Sequence, residues 1–152
     1  NEAVSMVVRE VLAARARDLW PEDRVEVLHP YVPGRSLLLL ELGSPGTVDQ
    51  VEKLVDGGWT SLTSAVDEEE LAPIKRRVAA SASAEMSGVA GHARRCAATA
   101  AGAARWHQPA EFELEILTVG PEIVNAVLQG FSDLATLQTT AAGTLPISDL
   151  KR

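Results

Sequence analysis

The side chains of this chain best suited to metal or nucleophile chemistry are three imidazoles and one thiol, His29, His92, His107 and Cys96, and they are scattered. His92 and Cys96 lie four residues apart, a spacing that puts them on one helix face and would suit a soft metal. A metal site also needs further ligands and a supporting shell, so the expected reading is a small buried cysteine beside a surface histidine. The acidic run Asp67-Glu68-Glu69-Glu70 could hold a cation, but carboxylates at a helix start are accounted for by the helix dipole. Arg94 and Arg95, with Arg105 and His107, could gather a basic patch for an acidic peptide or a phosphate; the plainer reading is a solvated helix face. Trp59 and Trp106 could anchor a partner, or fill a core or its edge. There is no G-x-S-x-G, no phosphate loop and no paired nucleophile and base.

The elements that must position these residues are read from periodicity and punctuation. Val4, Val7, Val8, Val11 and Leu12 recur at helical spacing, and the Trp20-Pro21 step should end that first helix. Val25 to Leu28 and Leu37 to Leu42 read as strands, the second apolar enough to be central in its sheet, and Pro33-Gly34 between them predicts an antiparallel pair. Thr47 and Gln50 form a capping box for a helix whose apolar stripe passes through Gly57-Gly58 to about Leu62. A further helix starts at Asp67, with Glu70 closing a capping box and Val66 packing on Leu71 as a hydrophobic staple, and runs to about Met86. Pro73 should bend or restart it. An alanine-rich helix follows from about Ser87 to Arg105, where Ala97, Ala98, Ala100 and Ala101 permit close approach of a neighbour. Trp106 to Pro109 is a loop, and short helices cover Ala110 to Leu117 and Pro121 to Phe131. The second of these starts with Gly120 at the cap, Pro121 at the first helical position and Val119 stapled to Val124. A last strand is expected near Leu134 to Ala142. Residues 1–144 are expected to form a single domain and residues 145–152 a tail.

In this order, Val66-Asp67-Glu68-Glu69-Glu70-Leu71 followed by Lys75-Arg76-Arg77, and Val119-Gly120-Pro121-Glu122-Ile123-Val124 about fifty residues later, resemble the closing half of a domain of the insulinase/pitrilysin family. These zinc peptidases include the mitochondrial processing peptidase. Their domains carry a "V-T-x-E-E-L" helix start before a basic, alanine-rich helix, then a "V-T-P-E-D-V" start; Asp67 and Gly120 stand here where the family has threonine or serine. The resemblance implies an α+β fold, a two-layer α/β sandwich in which helices cover a small, largely antiparallel sheet, as in processing-peptidase-like metallohydrolases. It also implies a zinc motif, H-x-x-E-H, with two histidines one turn apart on the metal and a glutamate activating its water. His29, His92 and His107 do not have that spacing. No cofactor is therefore expected in this chain, and any zinc belongs to a partner domain or subunit. A substrate-contacting stretch, R-E-x-x-G-x-x-Y in the family's non-catalytic domains, would fall after the opening helix. Arg17-Asp18 match its first two positions, Pro21 takes the place of the glycine and Arg24 that of the tyrosine.

A chain of 152 residues can bury a core without a disulfide or metal staple, and with 46% hydrophobic but only 4% aromatic residues that core must be built from Val, Leu, Ile and Ala. The net charge of −7 argues against a nucleic-acid surface. No apolar run reaches membrane-spanning length, and a lone cysteine suits a reducing cytoplasm. The sequence begins at Asn1 without Met, which reads as a processed end or a cut in a longer chain. The expected function is a non-catalytic, peptidase-like domain that pairs with a zinc-bearing insulinase-type domain or subunit in peptide processing. The alternative is a scaffold or protein-interaction domain that kept the fold and lost substrate handling. Either reading implies a peptide or protein partner and is compatible with an oligomer.

Overall fold

The computed structural model of the chain describes residues 2–21, 24–28, 39–43, 57–102 and 108–132. Along them run α1 (Glu2–Leu19), β1 (Arg24–Leu28), β2 (Leu39–Gly43), α2 (helical residues 57–62), α3 (Glu68–Ser87), α4 (Val89–Ala100), α5 (Pro109–Leu117) and α6 (Pro121–Phe131). The starts of the helix from Thr47, the strand near residues 134–142 and the tail from residue 145 lie outside the described residues.

The molecule is mostly helical, which corrects the expected α/β sandwich. A sandwich needs a sheet as one of its layers, whereas the described strands form only a two-stranded antiparallel pair, with Val27 opposite Leu40. Leu39, expected on a central strand, is exposed, as are Glu26 and Glu41. The centre is α1 instead. Its stripe of Ala3, Val7, Val8, Val11, Leu12 and Ala16 is buried, and β1, α3, α5 and α6 all pack against this helix. Apolar residues spaced by three and four on each neighbour complete one core: Leu71, Ile74 and Val78 on α3, Phe112 and Ile116 on α5, Val124 and Leu128 on α6. Helix on helix thus replaces helix on sheet.

Two local devices explain boundaries that propensity alone would misplace. α1 ends before Trp20-Pro21, and the buried Trp20 ring lies across Gly58, where a Cβ would stand 2.5 Å from the ring. Glycine inside α2 is therefore a packing requirement, and residues 57–62 are helical despite a cost of about 1 kcal/mol per glycine relative to alanine. α4 stops at Ala100, short of Arg105, because Gly102 takes a φ of +69°, the left-handed conformation that closes helices. Pro73 does not interrupt α3, which runs unbroken from Glu68 to Ser87.

The connection between α2 and α3 is held by side chains from distant elements. Arg15 of α1, mostly buried, donates to the carbonyls of Leu62 (2.9 Å), Ser64 (2.6 Å) and Ala65 (3.2 Å), and forms a two-pronged pair with Glu70 at 2.7 and 2.8 Å. Asn125 of α6 clasps Val66 from the other side, its Oδ1 accepting from the Val66 N–H (2.7 Å) and its Nδ2 donating to the Val66 carbonyl (3.0 Å). Asp67 caps α3 as expected, Oδ1 accepting from the Glu70 N–H at 2.9 Å. The expected return arm of the capping box is not made, because the Glu70 carboxylate is engaged by Arg15. Lys75, buried, places its ammonium on Glu68 (2.9 Å) and on the Val119 carbonyl (3.1 Å), tying α3 to the turn before α6.

Candidate functional site

Two features outside the packed core could engage another molecule. The first is a cleft of about 180 Å³ where α3, α4, α5 and the first turns of α1 meet, lined chiefly by Met6, Met86, Gly91, Arg94, Arg95 and Phe112. Gly91 builds it: a Cβ there would fall 1.7 Å from the Glu85 carbonyl oxygen, so only glycine lets the first turn of α4 abut the end of α3. The close approach expected of Ala97, Ala98, Ala100 and Ala101 is thus made by Gly91, while Ala97, Ala100 and Ala101 face solvent. The neighbouring arginines part company. Arg95 turns into the wall, pairs with both carboxylate oxygens of Glu2 and lays its guanidinium over the Phe112 ring, 4.9 Å from the centroid. Arg94 stays on the rim, 71% exposed, 3.4 Å from a Glu85 carboxylate that is itself 56% exposed.

The second feature is the corner between α5 and α6. Phe112 and Ile116 point into the core, and on a 3.6-residue helix Leu114 must then point away. Leu114 is 63% exposed, Leu117 37% and, just beyond the turn, Ile123 47%. Glu111, Glu113, Glu115 and Glu122 stand among them, and neither helix contains a Lys or Arg.

Arg17 lies in the last turn of α1, exposed and 3.4 Å from Glu10, and Arg24 opens β1 opposite Gly43. The eleven helical steps from Met6 to Arg17 separate this end of α1 from the cleft by about 16 Å at 1.5 Å per residue, so Arg17 and the Arg94-Arg95 pair do not share a site. Trp59 is a packing residue and not a surface anchor: it is buried, and its Nε1 donates to the Phe131 carbonyl at 2.8 Å. Cys96, expected to be buried, is exposed on α4, as is His92. Among the described residues no group of three or more His, Cys, Asp or Glu side chains is placed to hold a metal ion. His29, Arg105, Trp106 and His107 lie outside the described residues.

No family model, curated protein or solved structure matches the chain.

The site therefore rests on its own geometry. Among the described residues no helix is long and apolar enough to cross a membrane. Sequence reasoning overlooked the exposed corner, although a signal was present: Phe112, Leu114, Ile116 and Leu117 are too many apolar residues for one face of a short helix. That Met6 and Met86 line one cleft had no sequence signal at all, since they come from distant parts of the chain.

Proposed function

We propose that this chain is a protein-interaction domain that presents the α5–α6 corner to a partner whose surface is apolar and positively charged. One observation carries the reading: Leu114, Leu117 and Ile123 face solvent on two helices whose charged side chains are all negative. Exposed apolar side chains grouped together and rimmed by charge favour association, and complementary charge gives it orientation and speed. A second copy of the same face would set carboxylate against carboxylate.

A photo-crosslinking residue in place of Leu114, in the cells that make the protein, tests this. The expected result is a discrete adduct with a different protein that is suppressed by high salt and by Ile123→Glu, and is not formed from Ala80, exposed on α3. An adduct only with the chain itself, or equal capture from both positions, contradicts it.

A second reading makes the partner a zinc-bearing peptidase domain of the insulinase type. What favours it is that both helix starts behind that resemblance fold as caps, Asp67 on the Glu70 N–H and Pro121 as the first residue of α6. The sandwich that the family would require gives it no support. Mixing the chain with the candidate zinc-bearing subunit should then raise chelator-sensitive cleavage of an unfolded peptide, and no gain on mixing excludes this reading.

A further inference from the structure

We propose that the α3–α4 cleft binds a small hydrophobic carboxylate, its acid group on Arg94 and its apolar body between Met6 and Met86. Size comes first. About 180 Å³ is close to the roughly 150 Å³ at which an apolar cavity accepts a benzene ring, so one aromatic or branched aliphatic group fits. The space exists because Ala82, Gly91 and Ala98 are small where the walls converge.

The walls then select the class of guest. The two methionines of the lining, Met6 and Met86, are the only ones in the chain, and unbranched thioethers adapt their shape to an apolar guest better than any other side chain. Phe112 closes the floor, 1% exposed and covered by the Arg95 guanidinium that Glu2 holds over its ring. Among the lining residues the charges are those of Arg94, Arg95 and Glu85; Glu2 neutralises Arg95, so the positive group a guest can recruit is the rim guanidinium of Arg94. A carboxylate can recruit that guanidinium, and the apolar walls disfavour a fully hydrated phosphate.

Arg94 is the group free to exchange partners. Its pair with Glu85 is long and largely solvated, a kind of contact worth little, and a carboxylate anchored by an apolar body in the cleft can take the guanidinium in a two-pronged bond. Glu85 then rotates into water. The same chemistry is offered by a free small acid and by the hydrophobic C-terminal residue of a peptide. The site is independent of the α5–α6 corner.

Methyl-labelled methionine gives two NMR signals, and both report on this cleft. Titration uses 3-phenylpropionate, a short peptide ending in Phe with a free carboxylate, the same peptide amidated, and 3-phenylpropionamide. The expected result is a saturable shift of both methyl signals with at least one of the two carboxylates, and none with either amide. Saturation by the acid alone assigns the site to free acids, and saturation by the peptide alone to chain termini. Arg94→Gln should weaken binding about tenfold, and Glu85→Gln should strengthen it by removing the competing carboxylate. Ala98→Leu, on the cleft wall and outside the core, should abolish the shifts while leaving the remaining spectrum folded. No saturable shift with any probe, equal binding of an amide, or an affinity unmoved by Arg94→Gln overturns the proposal.

Discussion

Helices α1 and α4 are both rich in alanine, yet α1 buries seven of its eighteen residues and α4, twelve residues long, buries only Gly91. The difference is the stripe of Val7, Val8, Val11 and Leu12, for which α4 has no counterpart. Alanine permits a helix; longer apolar side chains anchor it. α1 is fixed further by the Arg15 contacts to the α2–α3 connection, whereas α4 is attached to the body by Gly91 against the end of α3 and by Arg95 on Glu2 and Phe112. One side of the molecule has thus used its polar groups to lock elements together. The other side leaves a cleft, a rim arginine and an exposed thiol beside a lightly held helix.

The sharpest way to break this contrast is Arg15→Ala. It removes the Glu70 pair and three carbonyl contacts at once, and should lower global stability by about 3 kcal/mol in chemical denaturation. A loss below about 1 kcal/mol would mean that the connection is not the lock described here. Asn125→Ala leaves the Val66 N–H and carbonyl without their clasp and should cost about 2 kcal/mol, seen as a lower denaturation midpoint with unchanged slope.

Arg95→Ala sharpens the comparison from the α4 side. Loss of its partly buried pair and its ring contact should ease opening of α4 by on the order of 1 kcal/mol, read from amide exchange in α4, with α1 amides unchanged. Equal effects on both helices would show that α4 and the body unfold as one. Asp67→Ala should cost about 1 kcal/mol through the lost cap on α3, and Asp67→Asn should recover most of it.

What could be read in advance follows the range of the interactions. The caps of α3 and α6 and the end of α1 were legible because Asp67, Pro121 and the Trp20-Pro21 step act within a few residues. The partner of Glu70 was not, since Arg15 is fifty-five residues away and outcompetes the local backbone for the same carboxylate. The apolar stripe carried the helix through Gly57-Gly58, but the reason for glycine there, the Trp20 ring lying on Gly58, was not legible. The sandwich was expected from the order of helices and strands and from the insulinase-type resemblance, but neither says whether a strand's neighbours are strands or helices. At the candidate sites, Arg94 and Arg95 were singled out as a pair, while their separation into a rim residue and a wall residue depends on Glu2 and Phe112, both distant in sequence. Leu114 was legible in principle from the crowding of apolar residues on α5.

Residue-resolved hydrogen exchange of the unmodified protein tests the contrast between the two helices most directly. Amides in the middle of α1 should exchange only through global unfolding, at the free energy found by denaturation, and those of α4 through local openings costing at least about 2 kcal/mol less. Amides of α4 that exchange as slowly as those of α1 would contradict the account, because α4 would then belong to the same locked body.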